Sequence, residues 1–306
     1  MTAPASEHPR EPLSLDSTAQ LLTRITDQLG TQLSLVSRNG TRRPMYRTRQ
    51  PVRTAPAAGC APAPTLVAVA HGSRDPHALR TVLELLDRVR ELRPGLDVRL
   101  GHIELNEPLL PETLAAVGAG DAVLVPLLLG RGHHVKHDLP AAAAGAPALR
   151  SRTAAPLGPH PLLVEALHGR LVEAGWDAGA RSRSAAVVLA AAGSRDPDSA
   201  ADTRRTARML SERLGGIPVV PAYASAAAPT VPAAVRALAA RGRHRVAIAS
   251  YFTAPGRFAT AAAAAAPGVA AAPLGAHPAM ARLVLHRYDA ALGYESPVNE
   301  RLLASA

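Results

Sequence analysis

Residues Thr65–Pro76 read Thr-Leu-Val-Ala-Val-Ala-His-Gly-Ser-Arg-Asp-Pro. Leu66–Ala70 is a short uncharged apolar run with two valines, which predicts a strand buried on both faces, as in a parallel sheet. His71 falls where that strand ends, and Gly72-Ser73 makes a tight exit. Asp75-Pro76 predicts a helix start, with Asp as N-cap and Pro at the first helical position. Ligands of open parallel sheets bind beyond the carboxyl ends of the strands, so this histidine is placed where chemistry usually occurs.

Working outward, the chain alternates strands and helices. Leu79, Val82, Leu83, Leu86, Val89 and Leu92 form a helical stripe, stopped by Pro94-Gly95. Leu96, Val98 and Leu100 predict a second strand leading into His102–Pro108, with a short helix over about 111–117. Residues 122–129 predict a third strand, ending in the loop Gly130-Arg131-Gly132-His133-His134-Val135-Lys136-His137-Asp138, with a helix from about Leu139. A weak fourth strand over about 148–155 leads to Pro156–Pro161 and a helix to about Ala174. This alternation predicts an α/β fold with a parallel sheet covered on both faces.

The pattern then repeats. AHGSRDP at 70–76 returns as AAGSRDP at 191–197, 121 residues on, and APLGPHP at 155–161 returns as APLGAHP at 272–278, 117 residues on. Two motifs in the same order at nearly the same spacing mark an internal duplication. The expected organisation is a basic, Pro-rich extension over 1–64, a first lobe over 65–180, a second lobe over 185–296 and a tail over 297–306. The Arg/Ser/Gly-rich segment Gly175–Ser184 would be the linker. Within the extension, Leu21, Leu22, Ile25 and Leu29 have the spacing of one short amphipathic helix. Arg38–Arg53 carries six arginines and no acid, the composition of a disordered segment.

Composition narrows the function classes. With 306 residues, 47% hydrophobic but only 3% aromatic, the core must be built of Ala, Leu and Val, which suits α/β layers. The single cysteine, Cys60, excludes an intrachain disulfide and a Cys-based zinc or iron–sulfur site, and fits a reducing cytoplasm. No apolar run is long enough to cross a membrane, and no signal-peptide core is expected. The net charge of +10 favours anionic ligands. No nucleic-acid motif accompanies it, so neither nucleic acid nor membrane is an expected partner.

The duplication permits a comparison inside one chain. At the same offset His71 corresponds to Ala192, Glu104 to Ser225 and Glu107 to Ala228, while Pro108 still matches Pro229. The Gly132-His133-His134 loop corresponds approximately to Gly256-Arg257-Phe258. Scaffold residues should recur in both copies, and residues of chemistry need not. His71, Glu104 and His134 are therefore the candidate site, each just after a strand of one sheet. Two imidazoles and a carboxylate suit a first-row divalent metal and also proton abstraction. Arg74, Arg131 and Lys136 lie in the same loops and could meet anionic groups, although Arg74 persists as Arg195 in the other copy. Ser73 and Asp75 recur as Ser194 and Asp196 and read as turn and cap residues, while His160 and His277 recur and read as structural. His133 and His137 flank His134 and stay outside the catalytic set.

As a set, AHGSRDP, ELNEP and VPLLLGRGHHVKHDLP resemble the sirohydrochlorin chelatase family, the CbiX-like class II chelatases, over about Thr65–Leu292. The resemblance implies two flavodoxin-like lobes, each a parallel sheet of about four strands with helices on both faces. It implies insertion of a divalent metal into sirohydrochlorin, a carboxylate-edged macrocycle, with release of two protons. Fe2+ would serve sirohaem and Co2+ the cobalamin branch, and some relatives use nickel; iron is slightly preferred here. It assigns His71 and His134 to the metal and to catalysis, with Glu104 accepting protons or orienting a histidine. Ser73, Arg74, Arg131 and Lys136 are the candidates for the macrocycle's carboxylates. The metal is substrate, no organic cofactor is expected, and the chain would act as a monomer or homodimer. Competing readings are a non-catalytic tetrapyrrole or metal carrier, a phosphate- or nucleotide-binding flavodoxin-like protein, and a zinc hydrolase. Against the last two stand the absence of a Walker or dinucleotide glycine pattern and of a compact HExxH motif.

Overall fold

The computed structural model describes residues 63–177, 183–225 and 227–294. The expected extension with its short helix, Cys60, the middle of the linker and the tail lie outside the described residues.

Strand β1 (Thr65–Ala70) is central to the first sheet. Parallel to it run β2 (Val98–His102) on one side and β3 (Gly120–Pro126) on the other, with β4 (Leu149–Thr153) beyond β3. Leu66, Ala68 and Ala70 enter one apolar cluster and Val67 and Val69 another, on the opposite face. Alternate residues serve two cores, which is why every position of the run is apolar.

Helix α1 (Pro76–Leu92) starts where expected, the Asp75 carboxylate accepting the His77 N–H at 2.9 Å. Its inward face differs from the predicted stripe. Ala78, Val82, Leu85, Leu86 and Val89 are buried, whereas Leu83 and Leu92 stay 42% and 53% exposed. With leucines on two sides of the helix, the i, i+4, i+7 row 78-82-85-89 has the small Ala78 where the helix meets the core, and that sets the rotation. Helix α2 (Leu110–Val117) follows β2; a π-helical turn (His134–Asp138) and α3 (Leu139–Ala144) follow β3; α4 (Pro161–Glu173) follows β4.

The second copy rebuilds this plan with β5 (Ala185–Ala191), α5 (Pro197–Arg213), β6 (Val219–Tyr223), α6 (Val231–Ala239), β7 (Arg245–Tyr251), α7 (Arg257–Ala264) and α8 (Pro278–Leu292). Its described strands run parallel in the order β6-β5-β7. The expected fourth strand is reduced to one bridge between Ile248 and Ala270. Pro267-Gly268 and Pro273 confine it to a few alanine-rich residues around one Val, too short and too poor in β-formers to build a ladder.

The two sheets do not have two cores. Helix α4, from the first copy, packs on β7 and α5 of the second, and α8, from the second, packs on β3 and α1 of the first. One apolar cluster runs through both copies, and the described residues form one compact unit. Arg93 grips Asp289 with two hydrogen bonds of 2.5 and 2.7 Å, joining α1 to α8.

The recurring histidines cap the exchanged helices. His160 Nδ1 accepts the Leu162 N–H and His277 Nδ1 accepts the Ala279 N–H, each at 3.1 Å. Burial, helped by Arg287 and His286, pushes His160 down from 6.5 to about 3. The unfolded chain takes up this proton near pH 6.5 and the folded chain only near 3. The neutral cap therefore stabilises the fold fully above about pH 6.5, and that contribution is lost as pH falls toward 3. His160→Asn, which keeps a capping oxygen but does not titrate, should preserve a larger share of its neutral-pH urea midpoint at about pH 4.5 than the parent chain does. Equal losses would show that His160 does not contribute to acid lability.

Candidate active site

The site is built by two loops that touch. Gly72 has φ +100°, and a Cβ there would lie 1.8 Å from the Glu104 carbonyl oxygen, so only glycine lets the loop after β1 approach the loop after β2. Ile103 N–H donates to Ala70 O at 2.9 Å, Glu104 N–H to His71 O at 3.1 Å, and Ser73 N–H to the Asn106 side-chain oxygen at 2.6 Å. Leu105, at the crest, is a non-glycine residue at φ +69° and is half exposed; such backbone is held only where neighbours over-determine it. The result sets Glu104 Oε1 3.5 Å from His71 Nδ1.

The third participant arrives from β3. The π-helical turn carries His134 onto His71, ring centroids 4.7 Å apart and planes at 89°. His71, Glu104 and His134, chosen from sequence, are thus brought together. Asp138 was not chosen, yet its Oδ2 lies 2.5 Å from His134 Nδ1. Its signal was the i, i+4 spacing from His134, which puts two side chains on one helical face. That signal was hidden because 130–138 read as irregular loop. A carboxylate beside Nδ1 holds the proton there and leaves Nε2 with its lone pair free. Glu104 stands beside the Nδ1 of His71 at the longer distance of 3.5 Å. Neither Nε2 is hydrogen-bonded to a described residue, and the His71 and His134 side chains are 44% and 34% exposed, open to a ligand. Among the described residues no three His, Cys, Asp or Glu side chains form a ready-made metal cage; what the site offers is two imidazoles, each backed by a carboxylate.

The second copy keeps the scaffold without these side chains. A Cβ on Gly193, at φ +92°, would lie 1.9 Å from Ser225 O, and Ser225 N–H donates to Ala192 O at 2.9 Å. Where His134 would stand, the Arg257 guanidinium covers the Phe258 ring at 4.8 Å.

The candidate anion-binding residues divide. Arg131 donates to Asp202 from its backbone N–H at 2.9 Å, from Nε at 3.0 Å and from Nη2 at 2.7 Å. Lys136 Nζ lies 2.7 Å from Asp196 and 2.9 Å from Asp198. The hydrogen bonds from Lys136 hold the Asp196 carboxyl below the usual range. In this structure both cations are paired with acids of the second copy. Sequence gave no sign of this, since Asp198 and Asp202 replace His77 and Thr81 of the first copy and act across the interface. Ser73 Oγ accepts the Asp75 N–H at 3.1 Å, as Ser194 Oγ accepts the Asp196 N–H at 3.1 Å, so Ser73 is a turn residue in both copies. Arg74 is exposed and makes no ion pair with a described residue.

Fold and site together define a class: duplicated parallel α/β proteins with a paired-imidazole site beyond the strand ends of one copy. The chain belongs to the CbiX family, whose model matches residues 65–174 and again 186–291, once per copy. It is 30% identical over 168 residues to the sirohydrochlorin ferrochelatase of Bacillus subtilis, covering 53% of this chain and 63% of that one. It is 36% identical over 78 residues to the sirohydrochlorin cobaltochelatase of Methanococcus maripaludis, covering 24% of this chain and 54% of that one. These matches span less than two thirds of the relatives' length. The structure of SirB from Bacillus subtilis with Fe3+ superposes with a TM-score of 0.60 at 25% identity, covering 74% of this chain and 94% of that one.

Gly72→Ala should lower stability by about 2–5 kcal/mol, summing strained backbone and a clash with main chain. Gly95→Ala, also at positive φ (+88°) but with nothing within 4 Å of its Cβ, should cost only about 1–2 kcal/mol. Urea unfolding of the two variants checks this; equal costs would mean that the two loops do not touch as described.

Proposed function

We propose that this chain inserts Fe2+ or Co2+ into sirohydrochlorin and releases two protons. The observation that carries the reading is the edge-to-face pair His71–His134, 4.7 Å apart, with a carboxylate at each Nδ1. Names of relatives support the macrocycle, with iron for one and cobalt for others.

The geometry suits the task. The metal, as substrate, is gripped by the neutral Nε2 atoms of His71 and His134, whose proton-bearing Nδ1 atoms are fixed by Glu104 and Asp138. Two imidazoles leave most coordination positions open, so the macrocycle's four nitrogens can replace the protein. Each N–H proton that leaves needs an acceptor. Once the metal has left, each freed Nε2 can take up one macrocycle proton, and Glu104 at His71 and Asp138 at His134, 52% and 40% exposed, can pass the matching Nδ1 proton to water. Arg74 is the loop cation still available for a macrocycle carboxylate. The reaction moves no electrons, so no organic cofactor is needed. No described helix is long and apolar enough to cross a membrane; we place the activity in the cytoplasm, with one chain supplying all of the site residues named here.

Anaerobic metal insertion, followed by the change in macrocycle absorbance, tests this. His71→Ala and His134→Ala should each lower kcat/KM by about 100-fold or more. Near-normal turnover in both variants would remove the proposal.

A further inference from the structure

The sequence holds two more histidines in the catalytic loop that the proposed reaction does not use. His133 and His137 have ring centroids 4.6 Å apart. The His133 ring lies 6.3 Å from that of His134, which lies 4.7 Å from that of His71. The four imidazoles thus form a file. Its outer half is open to solvent: His137, at the end of the file, is exposed, and the His133 side chain is 73% exposed against 34% for His134. The π-helical turn makes this possible. Its wider, i→i+5 closure lets the residue at its start face both its i+4 and i+5 neighbours: His133 meets His137 and also has Nε2 3.9 Å from Asp138 Oδ1. Asp138 is therefore shared between the outer pair and the inner His134.

We infer that His133 and His137 form a second, outer binding site for the divalent metal, loading the inner pair His71–His134. Two imidazoles at i and i+4 on one helical face are a chelating arrangement for first-row divalent ions. Water completes the coordination, so the outer site binds weakly and releases readily. The residues aligned with this pair in the second copy are about Arg257 and Ala261, so the outer pair is absent there as the inner pair is. In that copy a guanidinium covers Phe258 where an imidazole would receive the ion. The outer pair accompanies the chemistry, as scaffold residues do not.

The inference rests on the proposed chelatase reading, and the test separates the two. Co2+ alone is titrated into the full chain without macrocycle, followed by its visible absorption and by calorimetry. The parent chain should bind two ions. His133→Ala/His137→Ala should bind one, and should raise the metal concentration for half-maximal insertion by about 5-fold or more, with kcat at saturating metal unchanged. His71→Ala/His134→Ala should keep the outer ion and lose insertion. If the outer double variant still binds two ions, or its half-saturating metal concentration is unchanged, the outer site is refuted. If the inner double variant still inserts metal, the chelatase reading fails instead. Both outer side chains are exposed, so melting temperatures should match the parent; a lowered one would assign the pair to the fold and overturn the inference.

Discussion

A buried carboxylate of the second copy holds the loop of the first that carries His134. Asp202 is 3% exposed and receives three hydrogen bonds from Arg131, one of them from the backbone. The loop then has only three residues to run before it delivers His134. Hydrogen bonds to a charged partner contribute about 1.5–3 kcal/mol each at most, and leaving the buried partner unsatisfied costs more than the bonds contribute. Lys136, pinned by Asp196 and Asp198, is solvent-exposed and adds little energy, but it fixes the far side of the same turn. The copy that lacks the paired site imidazoles is thus a jig for the copy that has them.

The exchanged helices make that jig rigid. If each copy packed its own last helix, the lobes could separate at low cost and Asp202 would set nothing. Because α4 lies on β7 and α8 lies on β3, parting the lobes would expose the common core. Reciprocal approach of the loops follows from the same pseudo-symmetry: a Cβ on Gly132 would sit 3.9 Å from Ser194 Oγ, and one on Gly256 3.7 Å from Ser73 Oγ. Histidine caps at both exchanged helices, lowered in pKa by burial, tie the interface to neutral pH.

Much of this was legible in the sequence because it is local. The apolar run at β1 and the Asp75 cap depend on neighbours within a few residues, and the structural role of His160 and His277 showed in their recurrence. The inner site was legible because the duplication let one copy serve as a control for the other, separating His71, Glu104 and His134 from Gly72 and Ser73. What sequence missed is long-range or depends on an irregular backbone. Arg131 and Lys136 looked free because their partners Asp202 and Asp196 lie 71 and 60 residues on. Asp138 was hidden by the π-helical turn. The phase of α1 was blurred by leucines on two faces, and the fourth strand of the second sheet was lost to prolines that the repeat alone did not weigh.

A double-mutant cycle on Arg131 and Asp202, read as the rate of metal insertion with folding monitored in parallel, tests the dependence of the site on the second copy. If Asp202 positions the loop through Arg131, Arg131→Ala, Asp202→Ala and the pair should slow the reaction by similar factors, because removing either partner already frees the loop. Losses that multiply, with each single variant acting independently, would contradict the account.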